Sequence, residues 1–137
     1  MVAQARGEWG TAAPPTVDSN PKARVYVYRY GGFGGCGVKP FIWCDEVLLA
    51  SITCGRYFIA EIEPGPHTFR SDNSASTVSL NFAAGRTYFL RADIVPDTIH
   101  DRGLLYKMEE ATGSRDVRAL KPLPSENIQD DTMVLTE

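Results

Sequence analysis

A chain of 137 residues with 43% hydrophobic and 10% aromatic content can fill one core without metals, and no apolar run approaches the roughly 20 residues of a membrane-spanning helix. The formal charge of −3 belongs to the end of the chain: residues 124–137 carry Glu126, Asp130, Asp131 and Glu137 with no base, while residues 23–123 set twelve Lys/Arg against eleven Asp/Glu. A nearly neutral body excludes the dense cationic surface that phosphate-backbone binding demands, so nucleic acid is not an expected partner.

Residues 1–22 contain Ala12-Ala13-Pro14-Pro15 and Asn20-Pro21 without an apolar period, and read as a flexible leader or spacer. Met1 to Arg6 lacks the apolar stretch of a secretory leader. Two placements follow: the cytosol, or an envelope location reached through a leader not among these residues. Arg24-Val25-Tyr26-Val27-Tyr28-Arg29-Tyr30 is a strand with Val25 and Val27 on one face and three tyrosines on the other. Bulk on both faces marks it as central. A Gly-rich loop, Gly31–Gly37, precedes Val38–Trp43 and Val47–Ile52, a hairpin across Asp45-Glu46. Arg56–Ile62, His67–Arg70, Thr77–Phe82, Thr87–Val95 and Leu104–Glu109 complete the strands, separated by Glu63-Pro64-Gly65-Pro66, polar Ser71–Ser76, Ala84-Gly85-Arg86 and the loop 96–103. The clearest alternation is Thr77–Phe82, where Val78, Leu80 and Phe82 share the core face.

The period changes at Thr112-Gly113-Ser114. Val117, Leu120 and Lys121 follow at helical spacing behind Ser114, a good N-cap, and Pro122 stops a helix of one or two turns. From Pro124 an acidic mobile tail is expected over 124–137, although Met133-Val134-Leu135 has the bulk to dock. The expected architecture is a domain over 23–123, mainly β: an immunoglobulin-like antiparallel β-sandwich of about seven or eight strands with one short C-terminal helix.

Three cysteines leave the redox compartment open. If Cys44 faces Val47 across a two-residue turn, counting back places Gly37 opposite Cys54, with Cys36 one step away. A Cys36–Cys54 bridge then fits if the register slips by one; it closes a loop of about 19 residues, worth about 3 kcal/mol in chain entropy. Three reduced, mostly buried thiols are the competing reading.

Gly32-Phe33-Gly34-Gly35-Cys36-Gly37 matches a dinucleotide-binding pattern, but a helix must begin at those glycines for their amides to cradle a pyrophosphate. Here Val38-Lys39-Pro40-Phe41 continues as strand, so no cofactor is expected. Asp97, His100 and Asp101 offer ligand atoms on one loop without a familiar metal spacing. Under that reading the three would converge for metal-assisted hydrolysis; otherwise no metal site is expected. His67 reads as the residue that closes the Pro-Gly-Pro turn or covers the core edge. Cys54-Gly55-Arg56 has a cation beside a thiol, but no histidine is placed to act as base, and no catalytic residue is expected. The six tyrosines are ordinarily core residues. Where several share an open sheet face with Arg29 and Arg91, they would make an amphipathic surface for a peptide or glycan.

Ala23-Arg24-Val25-Tyr26-Val27-Tyr28-Arg29, Arg56-Tyr57-Phe58, Glu63-Pro64-Gly65-Pro66-His67 and Ala84-Gly85-Arg86-Thr87-Tyr88-Phe89-Leu90-Arg91 occur in that order. Over residues 23 to about 121 the chain resembles the domain of unknown function 2846 (DUF2846) family, small bacterial proteins usually exported or lipid-anchored. It is more loosely similar to PEGA-type envelope domains, which share the turn-Pro-Gly-x-His element. The resemblance implies a prealbumin-like sandwich in a periplasmic or extracellular setting, and brings no catalytic residues. Two departures stand out. The family hairpin usually turns on Asp-Gly where this chain has Asp45-Glu46, and the lipoprotein cysteine is missing.

The favoured function is a non-enzymatic module of the bacterial cell envelope acting in binding or assembly, with an envelope protein or glycan as partner. The alternative is capture of a small ligand or glycan by the Gly31–Gly37 loop and nearby side chains: Phe33, Tyr28, Arg29, Tyr57 and Arg91.

Overall fold

The computed structural model describes residues 21–31, 36–71, 76–95 and 102–135. Residues 1–20 of the expected leader and the Asp97–Asp101 loop therefore lie outside the described residues, as does Phe33. Among the described residues, nine strands and an α-helix follow in chain order: β1 (Ala23–Tyr28), β2 (Phe41–Cys44), β3 (Val47–Ser51), β4 (Arg56–Ile62), β5 (Gly65–Ser71), β6 (Thr77–Phe82), β7 (Thr87–Val95), β8 (Arg102–Met108), α1 (Glu110–Arg118) and the two-residue β9 (Lys121–Pro122). They form a sandwich of two sheets. One has the order β9-β4-β1-β7-β8 and the other β3-β2-β5-β6.

The expected β-sandwich is what the chain forms, with the refinement that the five-stranded sheet is mixed rather than antiparallel. There β1 pairs with β7 in parallel, and β9 with β4 in parallel, while the four-stranded sheet is antiparallel throughout. The cause is connectivity. After β4 the chain crosses to the other sheet for β5 and β6, then returns as β7 on the free side of β1, now running the same way.

Period-two patterning places the core as read. Val25, Val27, Ile42, Phe58, Ile62, Phe69, Phe82 and Leu90 are at most 3% exposed, with Val78 buried and Leu80 half-buried beside them. Phe69, Phe82 and Tyr88 form a chain of ring contacts, 5.6 Å and then 4.7 Å between centroids. The hairpin pairs Cys44 with Val47, and Asp45 takes the left-handed backbone (φ 55°) that the tight turn demands. Asp tolerates that region where most residues do not.

Two expectations at the C-terminal end are corrected. The helix starts at Glu110, a turn before Ser114, and Ser114 lies inside it. Gly113, which the sequence places just ahead of the helix, lies inside it and is buried against Phe89: a Cβ at this position would collide with that ring. Close approach to the sheet offsets the poor helical propensity of glycine. The segment after Pro124 is docked as far as Leu135. Ile128 bridges Ala50 of β3, Val134 bridges Ala60 of β4, and Val134 is only 2% exposed. Backbone bonds Gln129 N–H to Leu49 O, Glu61 N–H to Met133 O and Leu135 N–H to Ile59 O fasten it along the open side between the sheets. Its acids mask apolar residues spaced to reach two unpaired edges, which explains the docking.

Gly113→Ala tests the helix contact. In an exposed helix this change is stabilising by about 1 kcal/mol. Here the methyl meets Phe89, and chemical denaturation is expected to show a loss of about 1–3 kcal/mol, the overpacking range. Unchanged or raised stability would show that α1 does not pack on Phe89.

Candidate functional site

On the outer face of the five-stranded sheet the register sets Tyr26 between Ile59 and Phe89, and Tyr28 between Tyr57 and Arg91. Tyr26 stacks on Phe89 at 4.9 Å. Helix α1 covers this part of the face, and Tyr28 is fully buried beneath it. The hydroxyls of Tyr28 and Tyr30 both donate to Oδ2 of Asp116 on α1, at 2.6 and 2.7 Å. Burial alone pushes the Asp116 carboxyl up, but the two phenolic donors win and hold it below the usual carboxylate range. The Tyr28 phenol goes far above its ordinary value, first by burial and then through its bond to Asp116. The phenol is therefore the donor and the carboxylate the acceptor in this pair.

Beyond the end of α1 the face opens. Arg91 lies over the rings of Tyr30 and Tyr106, 5.2 and 5.0 Å from their centroids. Its Nε and NH2 groups donate to the two oxygens of Asp93, at 3.2 and 2.9 Å. Arg91, Asp93 and Tyr106 occupy one strip because residues two apart share a face and Arg91 pairs with Tyr106 across β7 and β8. Tyr106 is 39% exposed, among the most exposed large apolar groups of the described chain. This is the candidate site: two phenol rings, a guanidinium and a carboxylate at an end of the sheet that α1 does not cover among the described residues.

The surface expected from Tyr28, Arg29, Tyr57 and Arg91 does not assemble. Tyr28 is under the helix. Arg29, the next residue, points to the opposite face and is 4% exposed. Its NH1 donates to the carbonyls of Val38 at 2.7 Å and Ile52 at 3.3 Å, and burial lowers its affinity for its proton against the opposing pull of Asp93. Arg29 thus clamps the segments entering β2 and leaving β3. Tyr57 remains half-buried on the outer face, and Arg91 alone of the four reaches the open strip.

The same end holds a Cys36–Cys54 disulfide with Cα atoms 5.5 Å apart. The hairpin does slip by one residue, at a bulge: Trp43 faces Leu48, Ile42 faces Ala50, and Leu49 is the extra residue. That slip runs opposite to the one the simple count requires, and the bridge is made where the backbone has left the ladder, beyond Pro40 and Ser51. Cys44, the third cysteine, is free and buried.

Sequence reasoning missed Asp93 and Asp116. Asp93 was accessible to it, two residues beyond Arg91 on the same face. Asp116 was not, because only the docking of α1 brings it to the tyrosines.

Residues 19–104 match the family described as Protein of unknown function (DUF2846). The chain belongs to the DUF2846 family. No curated protein and no solved structure matches it. Tyr30, Arg91 and Asp93 of this DUF2846 protein fall within the matched residues, while Tyr106, α1 with Asp116, and the docked C-terminal segment lie past them. No helix among the described residues is long and apolar enough to cross a membrane.

Two outcomes are expected. Asp116 is depressed in the folded state, so its contribution to stability is complete above the unfolded carboxylate value of about 3.9 and is lost as pH falls through the lower folded value. Acid unfolding of Asp116→Asn should accordingly show a shallower loss in that window than the parent; an identical pH profile would remove Asp116 from the clamp. Reducing the disulfide should lower unfolding free energy by about 3 kcal/mol, from the entropy of the loop it closes. A midpoint unchanged by reductant would show that the bridge adds nothing.

Proposed function

We propose that this DUF2846 protein is an exported, non-enzymatic β-sandwich module of the bacterial cell envelope that binds an envelope protein through the Tyr30–Arg91–Tyr106 strip. The observation that carries this reading is the strip itself, the part of the outer sheet face that α1 leaves open. Tyr and Arg are the residues most enriched where protein interfaces hold their energy. A protein partner is favoured over a sugar because Arg91 already lies over both rings. The strip then offers ring edges, hydroxyls and charge more than a flat stacking platform.

The disulfide supports the exported placement, since such bonds persist in oxidising compartments. The state of Cys44 supports a non-enzymatic role. It is 1% exposed, and burial, helped by Asp45, pushes its thiol up to about 12, which leaves no thiolate nucleophile at neutral pH.

Photo-crosslinking in intact cells of the source bacterium tests the proposal. A photoreactive residue at Tyr106 should give a discrete protein adduct that Arg91→Ala abolishes, while the same residue at exposed Val47 gives none. Equal labelling from both positions, or none from Tyr106, would refute the interface. Alkylation of the chain within those cells should find Cys36 and Cys54 blocked; both free would place it in a reducing compartment.

A further inference from the structure

At the far end of the four-stranded sheet, away from the disulfide, three side chains of different chemistry meet. Cys44 closes β2, Asp45 opens the hairpin turn, and His67 projects from the neighbouring β5. Their ligand atoms all lie within 4.8 Å of one another. Cys44 and Asp45 stand more than twenty residues before His67, with no recognisable metal-binding spacing, so only the pairing of β2 with β5 reveals the cluster.

The hydrogen bonds around His67 are unusual in one respect. Nδ1 lies 2.7 Å from Oδ2 of Asp45 and Nε2 lies 2.7 Å from the carbonyl oxygen of Glu63. Both partners are acceptors, and a neutral imidazole can donate from only one nitrogen. With Nε2–H on the Glu63 carbonyl, Nδ1 and Oδ2 of Asp45 present two adjacent donor atoms on the side of Cys44. A carbonyl holding the remote N–H is also the arrangement that orients metal-bound histidines. The Asp45 carboxylate is oriented in turn by the Thr68 amide, which donates to Oδ1 at 3.0 Å.

The geometry points to a divalent-cation site of the zinc type formed by Cys44 Sγ, Asp45 Oδ2 and His67 Nδ1. Sulfur, nitrogen and oxygen together suit zinc better than calcium or magnesium, which take oxygen alone. A thiolate and a carboxylate supply two negative charges to match the ion, and a bound metal drives off the thiol proton that burial otherwise retains. Tetrahedral bonds of about 2.0–2.3 Å separate donors by about 3.3–3.7 Å, so the three need about an ångström of side-chain adjustment. Asp45 has the freedom for it, its side chain being 48% exposed.

The surroundings complete the arrangement. Cys44 lies on the core side, while Asp45 and His67 line a surface cleft of about 350 Å³ with Pro66, Thr68, Ser79 and Asn81. Three protein ligands leave the fourth position facing that cleft, free for water or a small donor. The inference stands on this cluster alone and is independent of the Tyr30–Arg91–Tyr106 strip.

Cobalt(II) titration of the oxidised full chain tests it. Cys36 and Cys54 are tied in the disulfide, so any sulfur-to-cobalt charge-transfer band must come from Cys44. The expected result is a near-ultraviolet band saturating at one equivalent, displaced by zinc, absent in Cys44→Ser, and weakened at least about tenfold in affinity in His67→Gln. Cobalt binding without the sulfur band, or no binding, overturns the site. So does a band that survives Cys44→Ser. Should that variant fail to fold, the band of the unaltered chain decides, with His67→Gln as the second measurement.

Discussion

The structure depends on one strand being buried from both sides. Val25 and Val27 of β1 face the core, Tyr26 and Tyr28 face α1, and none of Val25, Val27 and Tyr28 keeps measurable exposure. Both edges of β1 are also paired, with β4 antiparallel and β7 parallel. A strand so enclosed has no tolerance for register error, because a shift of one residue would send valines under the helix and tyrosines into the core. The other elements take their positions from it. β4 and β7 are set by its ladders, and α1 is set by Phe89 and by the two phenolic bonds to Asp116.

Edges are the remaining liability of a sandwich, and here each is managed by a different device. On one side the docked C-terminal segment reaches both sheets, through Ala50 and Ala60. On the other, the Ser76 hydroxyl joins β8 by donating to the Leu105 carbonyl at 2.7 Å and accepting from the Leu105 amide at 3.2 Å. Gly103 nearby allows the backbone of β8 to approach Ser71 so closely that a Cβ would overlap it. Unpaired strand groups are thus covered without lengthening either sheet.

How much of this is legible in sequence follows from the range of each interaction. Alternation is local: Thr77–Phe82, Arg56–Ile62 and Thr87–Val95 stand where the pattern of apolar residues puts them. The Cys44–Val47 pair follows from the two-residue turn. Parallel pairing of β1 with β7 is not local, since about sixty residues intervene and nothing in either strand encodes the other's direction. Gly113 misleads for a related reason: its propensity is a property of the residue, and its partner Phe89 is supplied by the fold. The acidic tail misleads through its charge: the bulk of Met133-Val134-Leu135 is legible, but Ile128 and the edges that the segment reaches are not. Of the candidate strip, Arg91 and its tyrosines could be named, but assigning Tyr28 and Arg29 to one surface with it ignored their positions on opposite faces of a strand.

The two ends of the sandwich are held by opposite chemistries, and that contrast bears on what each can do. At the disulfide end, a covalent bond and the buried Arg29 fix the segments flanking β2 and β3. A rigid support of this kind would suit the recognition surface proposed for the adjacent Tyr30–Arg91–Tyr106 strip, because little ordering entropy would be left to lose on docking. At the hairpin end, closure rests on Asp45 and His67, whose bonds are exposed to a cleft and whose nitrogens both meet acceptors. The hairpin end is thus held by polar contacts at the surface, while the disulfide end carries a covalent fastening.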